Sequence, residues 1–89
     1  MTQLPFVEES KNNFRIRTFS ENVDSDELKW HRDRENRIVE VIDSNNWKLQ
    51  MDNELPIVLE NGKKYYIPMG EYHRVIKGSG DLKVSIELC

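Results

Sequence analysis

The stretch GKKYYIPMGEYH, residues 62–73, places one of the chain's two histidines shortly after a Pro-x-Gly turn. Proline fixes φ, and glycine accepts the positive φ that a sharp reversal needs, so Pro68-Met69-Gly70 reads as a turn between strands. Such a turn can aim the His73 imidazole into a cavity, where the ring is suited to metal ligation or proton transfer. The plainer alternative is a turn that His73 happens to follow. Other chemistries find little support. Cys89 is the single cysteine and the last residue, a poor position for a catalytic nucleophile. No Ser-His-Asp arrangement, phosphate-binding loop or dinucleotide fingerprint occurs.

The elements that would position His73 are short strands. Eight candidates emerge: FRIRTF (14–19), ELKWH (27–31), RIVEVI (37–42), NWKLQMD (46–52), PIVLE (56–60), KYYIP (64–68), YHRVIK (72–77) and LKVSIEL (82–88). They are too short for free helices and rich in β-branched and aromatic residues. In the fourth, Trp47, Leu49 and Met51 share one face. VDSDEL, 23–28, can cap one helical turn. The tetrapeptides DREN, DSNN, ENGK and GSGD punctuate the strands at roughly ten-residue intervals, the pattern of a sandwich or barrel. Val39, Val41, Trp47, Leu49, Met51, Ile67 and Val75 form the expected core, joined by Ile57, Leu59 and Ile86. Arg15, Arg17, Arg32, Arg34 and Arg74 read as solvated surface.

Composition narrows the class. Eighty-nine residues make one domain with a modest core. We expect a flexible N-terminal arm at 1–13 and a single domain at 14–89. A net charge of −3 without a basic run argues against nucleic acid, and no apolar run is long enough for a membrane helix. The first nine residues lack the features of a signal peptide. One cysteine excludes an internal disulfide and suits the cytoplasm.

Gly62, five residues, Pro68, one residue, Gly70, two residues, His73 is similar, position for position, to the second motif of the cupin superfamily. The first cupin motif, His-x-His, then Glu, then a strand and a Gly-rich turn, is matched in part by residues 30–47. There His31 stands at the first His, Asp33 at the second and Arg37 at the Glu. Ser44 and Asn46 take the turn glycines' places. The resemblance covers about residues 27–88 and implies an all-β fold, a small cupin-type jelly-roll barrel. Strand period supports it independently: His31 and Asp33, two apart, face one way, and the DREN turn returns Arg37 beside Asp33.

The resemblance implies a divalent metal on His31, Asp33 and His73, and two imidazoles with one carboxylate can hold iron(II), manganese, nickel or zinc. Arg37 supports the opposite reading. A guanidinium cannot coordinate, and at ~4 Å an Arg–Asp pair gains on the order of 4 kcal/mol before desolvation, so Arg37 would neutralise Asp33 in a metal-free barrel. Glu35, in the turn, is a further carboxylate that could replace the missing ligand. Three functions stay open. The first is a stand-alone module binding a small polar or anionic ligand through Arg37, Trp47, Met51 and His73, with or without metal. The second is a metal-dependent oxygenase or isomerase. The third is a dimerising domain with a vestigial site. A homodimer is expected, because a small domain gains much from burying a second sheet face.

Overall fold

The computed structural model describes residues 4–89. Eight strands follow in chain order: β1 (Val7–Lys11), β2 (Phe14–Phe19), β3 (Arg37–Asp43), β4 (Lys48–Met51), β5 (Ile57–Val58), β6 (Lys64–Ile67), β7 (His73–Ile76) and β8 (Leu82–Leu88). One 3-10 turn, Ser25–Glu27, lies before β3, capped by the Asp24 side chain accepting from the Asp26 amide. This is the capped turn expected at 23–28. All pairing is antiparallel, in a five-stranded sheet ordered β1-β2-β8-β3-β6 and a three-stranded sheet ordered β5-β4-β7. No ladder joins the two sheets among the described residues, so the jelly roll is an open pair of facing sheets rather than a closed ring.

Sequence explains where the core sits. Cross-strand partners share a face. Pairing of Val39 with Ile86 and of Val41 with Val84 therefore stacks β-branched residues on the inner side of the larger sheet. Leu49 enters from the smaller sheet. Trp47 and Val41 are the most completely covered, with Leu82, at no more than 1% exposure. Val39, Ile67, Leu59 and Ile86 are buried as expected, and Met51 and Val75 are half-buried against them. Ile57 is instead 47% exposed, because β5 is a two-residue edge strand whose side chains clear the core. Phe19, Leu28, Leu82 and Val84 complete the core.

Three sequence expectations need correction. The arm at 1–13 contains β1, hydrogen-bonded along its whole length to β2, so Val7–Lys11 is a strand; residues 1–3 of that arm lie outside the described residues. ELKWH is not a strand but a 3-10 end, a short linker and one bridge between His31 and His73, because Asp24, Ser25 and Asp26 favour local capping over a ladder. Arg17 is not solvated. It pairs with Val84 and so faces inward with Phe19, its guanidinium 4.1 Å from the Phe6 ring centroid and its Nε 2.6 Å from Glu8 Oε1.

Turn chemistry sets the ends of the site-bearing strands. Gly70 has a φ of 80° with no atom crowding its missing Cβ, so the backbone angle, not space, calls for glycine. Asn46 adopts a φ of 65° at the position the resemblance gives to a turn glycine; asparagine tolerates the left-handed region.

Candidate metal and ligand site

Three separate segments bring the site together. Asp33 comes from the irregular link between the 3-10 turn and β3, His73 opens β7, and His31 crosses to His73 through two backbone hydrogen bonds. These are His31 N to His73 O, 3.0 Å, and His73 N to His31 O, 2.9 Å. The Pro68–Gly70 turn is tied to the Asp33 segment: the Gly70 amide donates to Asp33 O at 3.0 Å, and the Met69 amide to Asn36 Oδ1 at 2.8 Å. The turn therefore aims His73 and braces Asp33 at once.

One ligand atom each from His31, Asp33 and His73 lie within 4.8 Å of one another. His73 Nε2 is 3.4 Å from Asp33 Oδ2, and His31 Nε2 is 3.9 Å from Asp33 Oδ1. The imidazole centroids are 4.3 Å apart, edge to face. Each ring's Nδ1 contacts a backbone carbonyl, Lys29 O at 3.0 Å for His31 and Glu71 O at 2.8 Å for His73. A carbonyl only accepts, so Nδ1 carries the proton in both rings and, in the neutral ring, Nε2 presents a lone pair to the site. Burial lowers the His73 pKa below its ordinary 6.5, which keeps the ring neutral. Asp33 Oδ2, in a side chain only 5% exposed, has no hydrogen-bond partner among the described residues.

Arg37 stands beside this group, as the sequence indicated, but its principal partner is Glu35. Arg37 Nε and Nη2 lie 2.8 and 2.7 Å from Glu35 Oε1, while Nη1 is 3.4 Å from Asp33 Oδ1. Glu35 is therefore a counter-ion to the arginine and is not in the ligand group. The pairing withdraws Arg37 from full neutralisation of Asp33.

The site opens into a cavity of about 380 Å³ between the sheets. Two expected ligand contacts do not line it. Trp47 is fully buried behind the wall, where its indole Nε1 donates to Gly80 O at 2.7 Å and its ring packs 5.7 Å from that of Phe19. An indole N–H needs a partner when buried, and the residue's place just before β4 supplies one away from the cavity. Met51 packs on the core beside β7 and likewise is not in the lining. Phe6 and Arg17 are among the lining residues that sequence reasoning passed over. The alternation of FRIRTF contained the signal for Arg17, but either face could have been the inner one.

Two facing antiparallel sheets around a cavity make a jelly roll of the cupin fold. Comparison with solved structures supports this. A cupin 2 conserved barrel domain protein from Leptotrichia buccalis superposes with a TM-score of 0.73 at 23% identity, over 93% of this chain and 40% of that one. The DMSP lyase DddQ from Ruegeria pomeroyi DSS-3 superposes at 0.72 with 12% identity, over 84% of this chain and 36% of the lyase. This chain thus spans little more than a third of the lyase. A cupin domain from Bordetella pertussis Tohama I matches over 100% of this chain and 98% of its own, at 18% identity and a TM-score of 0.62. At these identities the likeness is one of fold. No protein-family profile and no curated protein sequence matches the chain.

Proposed function

We propose that this protein is a small-ligand-binding cupin domain whose site holds a divalent cation on His31 Nε2, His73 Nε2 and an Asp33 carboxylate oxygen. One observation carries the reading. With the His73 ring neutral, its Nε2 and Asp33 Oδ2 are both acceptors, they face each other at 3.4 Å, and the oxygen has no donor among the described residues. A buried acceptor without a partner is costly, on the order of 1–3 kcal/mol. A cation between the two atoms and His31 Nε2 would satisfy all three.

The residues fit such an ion chemically. Two neutral imidazoles and one carboxylate suit iron(II), manganese, nickel or zinc, and the backbone carbonyls holding each Nδ1–H supply the outer support that metal-bound histidines ordinarily have. Three protein ligands leave positions open, so the ion would act as a Lewis acid toward a bound ligand. In this account His31 and His73 hold their tautomers, Asp33 supplies the anionic ligand, and Glu35 restrains Arg37. The apolar walls exclude water from the bound molecule.

We also propose a homodimer and a cytoplasmic location. Edges at β1 and β6 that no strand covers among the described residues support the first, since β2 pairs on both sides within its own sheet. A single, exposed cysteine is compatible with the second. No helix is long and apolar enough to cross a membrane among the described residues.

Elemental analysis of protein purified without a metal-affinity tag tests the central proposal. One equivalent of a divalent metal after reconstitution, lost in His73→Ala, is expected. Absence of bound metal in the folded parent would reject the cation site.

A further inference from the structure

The lining of the cavity restricts what it can hold beyond the cation. Its depth is apolar: Val39, Leu49, Ile67, Leu82, Val84 and Ile86 all line it and all are buried. No Ser, Thr, Asn, Gln or Tyr is in the lining among the described residues. A sugar or other polyhydroxy compound would leave the hydroxyls that reach this apolar depth unpaired, which disfavours it. The polar side chains are all ionisable ones, and the two of the ion group that are deeply buried, Asp33 and His73, lie together. A volume of about 380 Å³ is at the small end of ligand sites, which run from roughly 300 to 1,000 Å³. The fitting molecule is small, with one polar head and an apolar body.

Electrostatics selects the sign of that head. Without a metal, Arg37 is matched by Glu35 and Arg17 by Glu8, and the lining's Lys29 and Glu27 offset each other in charge, so Asp33 leaves the histidine end net negative. An anion is then disfavoured. A dication reverses the local charge and offers open coordination positions. Resting on the cation reading above, we propose that the cavity takes a small monocarboxylate with an apolar body, its carboxylate on the ion held by His31, Asp33 and His73 and its body between the sheets. Acid binding and metal binding are then linked, each strengthening the other.

Calorimetric titration of the manganese-saturated and metal-free protein with acetate, butanoate, hexanoate and glucose tests this. Affinity for the acids should rise about fourfold per added methylene as the chain enters the apolar cavity. Hexanoate should bind at least tenfold more tightly with manganese than without it, and glucose should not bind. A flat acid series, glucose binding as well as hexanoate, or equal hexanoate affinity in both forms would overturn the ligand assignment while leaving the cation site standing. Failure of manganese itself to bind would overturn the cation reading and this inference with it, and the manganese titration that precedes the acids distinguishes the two failures.

Discussion

Asp33 is the residue on which the site turns, and its two neighbours of opposite sign decide how much of its charge is available. Arg37 reaches it with one nitrogen at 3.4 Å, while two other nitrogens of the same guanidinium are held by Glu35 at 2.8 Å or less. Glu35 acts through Arg37 and touches no ligand atom. In Glu35→Gln the arginine should turn to Asp33, and manganese affinity should fall about tenfold, a change of about 1.4 kcal/mol, with the fold retained. Arg37→Glu should move affinity the other way by removing the competing cation and adding a carboxylate. Titration of both variants with manganese reads the pair. Unchanged affinity in Arg37→Glu would show that Arg37 does not border the ion.

Strands and turns carry the site to different degrees. His31 is in no regular strand, and its two-hydrogen-bond bridge is stapled from outside by stacked pairs: Arg74 lies 4.7 Å over the Trp30 ring and Arg32 5.3 Å over the Tyr72 ring. Gln50 fixes Arg74 by accepting from its Nε at 2.9 Å. Trp30→Ala should therefore weaken manganese binding several-fold without touching a ligand, whereas its effect on thermal unfolding should be small, since Trp30 is 41% exposed. A large loss of stability with intact metal affinity would assign Trp30 to packing instead. Trp47 belongs to the core. Trp47→Ala should cost roughly 3–5 kcal/mol in chemical denaturation, and a variant as stable as the parent would be incompatible with its full burial. These contrasts also show what the sequence could disclose. FRIRTF and LKVSIEL could be bounded to the residue because period two and turn residues agree there. The Pro68–Gly70 turn and His73 were legible because proline and glycine fix backbone angles locally. ELKWH was misread because its strand-like composition competes with capping by Asp24, a contest that side-chain hydrogen bonds settle. The Glu35–Arg37 pair and the removal of Trp47 from the cavity depend on which atom reaches which partner, and periodicity carries no such information.

At the scale of the whole molecule, a small domain has arranged its apolar residues around a cavity instead of filling the space between its sheets. Keeping that space costs packing, which a bound ion and its ligand, or a second copy of the chain, would restore. Light scattering at micromolar concentration should give twice the chain mass of 10.6 kDa; a mass near 10.6 kDa would reject the dimer and leave β1 as a solvent-facing edge. The claim on which the account rests is the cation at the meeting point of the two sheets. A crystal soaked in manganese and measured at a wavelength where manganese scatters anomalously tests it most directly. The account predicts one strong anomalous peak bonded to His31 Nε2, His73 Nε2 and an oxygen of Asp33. No peak in the cavity, or a peak held by Glu35 in place of Asp33, would contradict it.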